Sequence, residues 1–424
     1  MNKVRLGDIA EIHDGAHATP NKTSEGPVYL GLDAISDDCC LIPAEFAHLS
    51  DSDYITWTKK VTPRAGDIVF SYEATIGRYA LIPKGLKCAL GRRLAVVRPC
   101  SDKVDMRWLF YYFRSPTWTK FIENHIYRGS TVNRVSVEDF SSYSIVMPDI
   151  SVQKAIASLL GAIDDKIALN RRLCTELEET AQFIYDYWFT QFDFPDENGS
   201  PYCSSGGQMV YNETLNREIP EGWEAVALSA IAGYVSDTIS NASAAMEFFV
   251  STDNMLSNRR GVIPSRYVPS EGTSTHYLPG DVLLSNIRPY FKKVWLADKS
   301  GGCCNDVLVI RAKNERWRYF LYQTIWSDAF FAYDSAGAKG SKMPRGDKLH
   351  IMSYLIAAPL DDDTVLGEFN ERMIPIQKAI SDAREENVQL AALRDWLLPM
   401  LINGQLKLSS SLVDAEVGHA QTEE

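Results

Sequence analysis

Two stretches of this chain, Ser151–Phe192 and Thr364–Leu406, repeat apolar residues at steps of three and four, and that repetition restricts its folding most. The first stripe runs Val152, Ile156, Leu159, Ile163, Ile167, Leu173, Leu177, Ala181, Ile184 and Trp188. The second runs Leu366, Phe369, Met373, Ile376, Ile380, Ala383, Leu390, Leu393, Leu397 and Leu401. Such spacing predicts long helices with a narrow coiled-coil face. At 1.5 Å per residue, about 38 residues make a rod of roughly 57 Å. One asparagine interrupts each stripe, Asn170 and Asn387, where a polar residue often fixes register. A face this narrow buries too little alone, so the two helices are expected to pack on each other. Pro375 removes a backbone donor and is expected to kink or split the second helix. Gly404 is a stop signal for it.

The segments before the helices also echo each other. "VRLGDIAEIHDG" from Val4 matches "VALSAIAGYVSD" from Val226, and "RAGDIVFSYEATIGRYALIP" from Arg64 matches "LPGDVLLSNIRPYFKKVWLA" from Leu278. "RGSTVNRVSVEDFSSYSIVMP" from Arg128 matches "KGSKMPRGDKLHIMSYLIAAP" from Lys339. Three echoes in one order make the chain an internal duplication. Within each repeat, "GDIVFSY", "RRLAVVRP", "GDVLLSN" and "NDVLVIRA" read as strands, and "MRWLFYYFRSPTWTKFIENH" and "RWRYFLYQTIWSDAFFAY" as aromatic-rich helices. The expected fold class is therefore α/β (α+β). Globular units at 1–150 and 223–360 are each followed by a helix, at 151–192 and 361–404. A polar Gly/Ser-rich linker is expected at 193–222 and an acidic tail at 405–424.

A chain of 424 residues, 45% apolar, has enough material for two to four structural units. It has no apolar run of the roughly 18 residues that a membrane span needs, and its N-terminus lacks a secretion signal. A cytoplasmic protein with reduced cysteines is expected, since the eight cysteines form no C-x-x-C. The net charge of −12 is unevenly spread: residues 1–150 are neutral, 151–222 carry −7, 223–360 carry +3 and 361–424 carry −8. A basic face on either globular unit is thus compatible with an acidic whole.

No catalytic motif is present. There is no P-loop, no H-E-x-x-H, no dinucleotide G-x-G-x-x-G and no Asn/Asp-Pro-Pro-aromatic run. His13 and His17 lie in a Gly-containing loop stretch and are not expected to form a metal site, and Asp164-Asp165-Lys166 reads as a solvated helix face. Binding residues are easier to find. After the "GD" strand come Ser71, Tyr72 and Arg78, with Arg92 and Arg93 further on, and in the second unit Ser285, Asn286, Arg288, Tyr290, Lys292 and Lys293. Each unit adds a Gly-Ser loop flanked by cations: Arg128, Ser130, Thr131, Asn133 and Arg134, against Lys339, Ser341, Lys342 and Arg345. Arg and Lys neutralise phosphates or fork onto guanine, Asn pairs with adenine, and Ser or Thr holds the backbone. These residues are the candidate DNA-binding set.

The stretch "SVQKAIASLLGAIDDKIALNRRL…YDYWFTQFDFP" resembles the central region of specificity subunits of type I restriction–modification systems. "EIPEGWEAVALSAIA" resembles that family's entry into its second recognition domain, and "LRDWLLPMLINGQL" its C-terminal helix. The second helix departs from the pattern, because "DDDTVLGEFNERM" lacks the Q-K start. The resemblance implies two target recognition domains on two long antiparallel coiled-coil helices related by a pseudo-twofold. Each domain would read half of a bipartite duplex DNA site. It implies a subunit with no active site or cofactor of its own, joined by methyltransferase (modification) subunits, two in number, and by motor-nuclease (restriction) subunits. The assembly would be an adenine methyltransferase and ATP-dependent endonuclease. The competing readings are a scaffold with duplicated protein-binding domains, and the recognition part of a nuclease or methyltransferase.

Overall fold

The structure, a computed structural model, describes residues 2–128, 132–243, 248–360, 363–406 and 408. The first globular segment contributes strands β1 (Asn2–Arg5), β2 (Ala10–Asp14), β3 (Thr23–Leu30), β4 (Ala47–His48), β5 (Ile68–Ser71), β6 (Tyr79–Leu81), β7 (Cys88–Leu90), β8 (Leu94–Pro99) and β9 (Ser144–Met147). Its helices are α1 (Asp51–Trp57), α2 (Met106–Arg114) and α3 (Pro116–Glu123), and the long α4 (Ile150–Tyr185) follows. Next come β10 (Met209–Asn212), β11 (Arg217–Pro220), β12 (Glu224–Ala227), β13 (Ala232–Tyr234), β14 (Thr238–Ser240), β15 (Phe249–Val250), β16 (Thr273–Tyr277), β17 (Val282–Ser285), β18 (Val294–Leu296), β19 (Gly301–Cys303) and β20 (Val307–Ala312). Helices α5 (Arg318–Trp326), α6 (Asp328–Gly337) and α7 (Lys348–Met352), strand β21 (Leu355–Ala358) and the long α8 (Asp363–Ile402) complete the order.

The chain divides into two compact units. One is made of the chain up to Ala168 and from Asn387 onward, the other of Leu169–Glu386, so both boundaries fall inside a long helix. In the first unit an antiparallel sheet is ordered β2-β8-β5-β6, β1 pairs with β9, and a smaller sheet is ordered β4-β3-β7. All four residues of β5 are buried, as a strand covered on both faces requires. Ser115 and Pro116 separate α2 from α3. Pro116 disfavours helix at the residue before it, and the Ser115 hydroxyl caps α3 by accepting from the Trp118 amide. Trp108, Phe113, Trp118 and Phe140 fill the core between sheet and helices. It is closed by Ile156 and Leu160 of α4 and by Leu398 and Leu401 of α8.

The second unit repeats this plan: its main sheet is ordered β13-β20-β17-β18 and β12 pairs with β21. The sequence echoes thus correspond to one topology used twice. The repeated Gly-Asp is part of its frame. Asp67 and Asp281 are each 2% exposed and accept a forked pair of bonds, Asp67 from Arg98 (3.0 and 2.6 Å) and Asp281 from Arg311 (2.7 and 2.7 Å).

Within the second unit, partners on α8 descend in number as those on α4 rise, so the two helices run antiparallel there. Asn170 donates to Glu386 (2.6 Å), Cys174 packs with Ile380 and Ala383, and Tyr185 lies against Phe369. Three expectations need correction. Pro375 does not split α8, which continues from Asp363 to Ile402; Pro375 and Glu371 are both exposed, so water meets the carbonyl the proline leaves unbonded. Leu173 is 41% and Leu393 45% exposed, because the buried row passes through Cys174 and Leu398 instead. The expected linker contains the β10–β11 hairpin, and Phe192, Phe194 and Ile219 from 193–222 and its edge join the second unit's core.

Asp164 is also not on a solvated face. It accepts from Tyr111 (2.7 Å), Arg114 (3.1 Å) and Arg394 (2.8 Å) inside the first unit. Burial works to raise its pKa, but the two guanidiniums and the phenol together hold it below the usual carboxylate range. All eight cysteines are free thiols. No helix among the described residues is long and apolar enough to cross a membrane.

Candidate nucleic-acid interface

In each unit three segments distant in sequence are tied together at the end of the central strand. In the first, the Tyr72 amide donates to the Arg93 carbonyl (3.2 Å), the Val135 amide to the Tyr72 carbonyl (2.8 Å), and the Ala74 amide to the Asn133 carbonyl (3.2 Å). Tyr127 and Arg134 exchange two backbone bonds (2.8 and 3.2 Å) and so close the Gly-Ser loop at its base. In the second, the Asn286 amide donates to the Asp306 carbonyl (2.8 Å), the Gly346 amide to the Asn286 carbonyl (3.1 Å), and the Arg288 amide to the Pro344 carbonyl (2.7 Å). Lys339 and Arg345 close the loop as Tyr127 and Arg134 do (2.8 and 2.9 Å). The two constellations share one bonding scheme, with bridges Glu73–Arg134 and Ile287–Arg345 in equivalent places. The loops agree at their far ends. At the near end Lys339 takes the place of Tyr127, not of Arg128 as the sequence echo aligns it.

The candidate residues within this frame fall into three groups. Ser71 and Ser285 are buried, and their hydroxyls donate to the carbonyls of Thr75 and Ile287. Tyr72 is buried too, its phenol pKa raised by burial and by the neighbouring Asp14 carboxylate. These three are buried in the turn and brace it. A second group is ion-paired: Arg78 donates to Asp37 (2.8 Å), Lys292 to Asp328 (2.7 Å), Lys339 to Asp347, and Arg345 lies 3.0 Å from Asp306. Arg93 Nε is 2.8 Å from Glu73, close enough for attraction, although its N–H is not directed at the carboxylate. Lys293 donates to the Thr252 carbonyl (2.6 Å), and burial lowers its pKa.

The third group faces outward without an ion pair among the described residues. It comprises Arg92, Arg128 and Arg134 with Asn133 in the first unit, and Ser341, Lys342 and Tyr290 in the second. Arg288 is half-buried, its guanidinium 5.9 Å from the Phe291 ring, and Asn286 has a buried Oδ1 without a partner among the described residues. Ser130 and Thr131 lie outside the described residues.

The sequence reading missed the segment Asn258–Arg260. The amides of Asn258 and Arg259 donate to the carbonyls of Phe291 (2.8 Å) and Lys292 (2.9 Å), so this segment supports the turn. The Arg259 guanidinium stacks 4.2 Å from the Trp326 ring and pairs with Asp328. Hydrogen bonds from Lys292 and Arg259 hold the Asp328 carboxyl down at about 2. The Arg259-Arg260 dipeptide was the available signal. Among the described residues no group of three or more His, Cys, Asp or Glu is placed to hold a metal ion. The arrangement offers charge, amide and aromatic surface on rigid loops, which suits binding.

Residues 1–179 match the family described as type I restriction modification DNA specificity domain. The type I restriction enzyme MjaIX specificity subunit of Methanocaldococcus jannaschii is 25% identical over 362 residues, covering 81% of this chain and 78% of that protein. The type I restriction enzyme HindI specificity subunit of Haemophilus influenzae is 21% identical over 409 residues, covering 81% of this chain and 87% of that one. Among solved structures, the S subunit of a type-I restriction-modification system from M. genitalium aligns with a TM-score of 0.54 at 12% identity over 96% of each chain, a likeness of fold.

Proposed function

We propose that this chain is a type I restriction–modification specificity subunit, and that each globular segment, residues 1–150 and 223–360, is a target recognition domain reading one half of a bipartite duplex DNA site. The observation that carries this reading is the repeated loop constellation, one bonding scheme in both units with different side chains mounted on it. A shared frame with divergent tips is what two readers of different half-sites need. Arg92, Arg128 and Arg134, with Lys342 in the second unit, would meet phosphates and fix register. Asn133 and Ser341 would meet base edges, and Tyr290 would meet the bases of the second half-site.

In this reading the long helices α4 and α8 serve as the spacer, and the internal duplication would match the symmetry of a split site. A rod of roughly 57 Å sets half-sites about one to one-and-a-half DNA turns apart. Apolar residues left exposed on the helices, Leu169 (60%) and Leu173 in the second unit and Trp396 (56%) in the first, suit docking of modification subunits, two per chain. The chain contributes recognition and no catalysis. Adenine methylation, with its S-adenosylmethionine, and ATP-dependent cleavage belong to the modification and restriction subunits, in the cytoplasm.

The test maps methylated adenines across the source genome with and without the gene for this chain. Loss of methylation at one split motif is the expected result, and it supplies both half-sites and their spacing. An unchanged map, with the gene and its partners expressed, would reject the DNA reading and favour a protein scaffold.

A further inference from the structure

The repeated turn differs between the units at its tip. In the first unit it runs from Ser71 to Arg78, closed by the Ser71 amide on the Arg78 carbonyl (3.0 Å); in the second it runs from Ser285 to Lys293, closed by the same bond (3.0 Å), and is one residue longer. The first tip is Thr75-Ile76-Gly77, with Ile76 packed down on the core. The second is Pro289-Tyr290-Phe291. Pro289 is buried under it, while Tyr290 is 53% and Phe291 37% exposed, their ring centroids 4.8 Å apart.

Holding two aromatic rings in water forgoes the free energy of burying them. The backbone beneath is strained to do so, with Arg288 at φ 52° and Lys292 at φ 49°, a left-handed region unfavourable to residues other than glycine. The tip is nevertheless fixed. Bonds from the Arg288 amide to Pro344, from the Asn258 and Arg259 amides to Phe291 and Lys292, and from the Lys293 ammonium to Thr252 clamp it from three other segments. Around the rings the surface is cationic: Arg288 and Lys293 each lie 5.9 Å from the Phe291 centroid, and Arg288 Nε is buried without a partner among the described residues. A rigid aromatic tip inside a cationic rim fits duplex DNA, which offers flat faces for stacking between two rows of phosphates.

Resting on the DNA-reading function above, we propose that Tyr290 and Phe291 form a wedge that enters the duplex at one base step of the half-site read by the second unit. The wedge unstacks that step and makes recognition there depend on how easily it deforms, which favours pyrimidine–purine steps. The first unit, with its tip folded down, reads an unwedged half-site.

The test uses the full chain and duplexes carrying the split motif, with 2-aminopurine placed at successive steps of both half-sites. Fluorescence reports unstacking, and the anisotropy of an end label reports binding at low salt. The wild-type chain is expected to raise fluorescence at one step, in the second unit's half-site alone. The Tyr290→Ala/Phe291→Ala variant should abolish that rise and bind roughly ten-fold more weakly, with unchanged thermal unfolding. Tyr290→Phe/Phe291→Tyr, which keeps both rings, should retain it. Binding without a rise, or a rise that survives the double alanine variant, overturns the wedge and leaves the DNA reading standing. No binding of the motif duplex by the wild-type chain overturns both. If the double alanine variant reads DNA normally but fails to assemble with the modification subunits, the tip is a protein contact and the wedge is rejected.

Discussion

Asp334 on α6 has no exposed surface, and neither of its carboxylate oxygens has a hydrogen-bond partner among the described residues. It lies under the second unit's loop: a Cβ at Gly346 would come within 2.6 Å of Asp334 Oδ1 and 2.9 Å of Asn286 Oδ1. Burial pushes the carboxyl up to about 6, with His350 pulling it down. A folded pKa above the unfolded one means that the native state holds a proton the unfolded chain releases. Stability therefore falls as pH rises from about 4 through about 6 and stays lower at neutrality. Asp334→Asn removes the ionisation penalty, so it should raise the unfolding free energy of the second unit by about 3 kcal/mol near pH 7 and change little near pH 4. Urea denaturation at the two pH values measures this, and equal wild-type and variant stabilities at both would show a solvated carboxylate. Residue roles of this kind were only partly legible in the sequence. The cations of the Gly-Ser loops stand out by composition, but Arg78 is taken up by Asp37, 41 residues away, and Lys292 by Asp328, 36 away. Only the folded chain brings those carboxylates near.

Between α4 and α8 in the second unit, Arg384 donates to Glu178, a carboxylate 9% exposed. Burial pushes the Glu178 pKa up against the pull of Arg384 and Arg259. Removing one partner of such a pair is worse than removing both. Arg384→Ala should destabilise the unit by about 3 kcal/mol, whereas Glu178→Leu with Arg384→Met should be near neutral. A double-mutant cycle in urea measures the coupling, and additive single changes would show that the pair contributes nothing. The helices themselves were readable from spacing alone, because a coiled-coil stripe needs only local periodicity. The places where the reading went astray are those governed by tertiary contact. Cys174 takes the buried place expected of Leu173, since Ile380 and Ala383 face it. The hairpin β10–β11 lies in polar sequence, and the segment leading into it is held by Asp193, which accepts from the Ser204 amide (2.7 Å), and by Asp196, which accepts from the amides of Asn198 and Ser200 (both 2.8 Å).

At the scale of the whole molecule the negative charge lies in residues 151–222 (−7) and 361–424 (−8), and the globular segments 1–150 and 223–360 are neutral to mildly basic. On the proposed function, such a chain is expected to attract DNA weakly by itself. At physiological salt the isolated chain should bind its motif with a Kd of about a micromolar and a steep salt dependence. The modification subunits should tighten this at least ten-fold by enclosing the duplex. Titrations with and without them decide it, and nanomolar, motif-selective binding by the chain alone would contradict this division of work. The way the chain shares its helices also orders events during synthesis. The first unit takes its last core residues, Leu398, Leu401 and Ile402, from beyond Asn387, so the N-terminal domain leaves the ribosome with that side of its core uncovered. The 218 residues of Leu169–Glu386 must be made before the missing helix turn arrives, a wait of roughly 10–40 s at ~5–20 residues per second. The first half to be translated is the last to be closed, and through that interval its apolar α4 face needs a shield that the chain has not yet made.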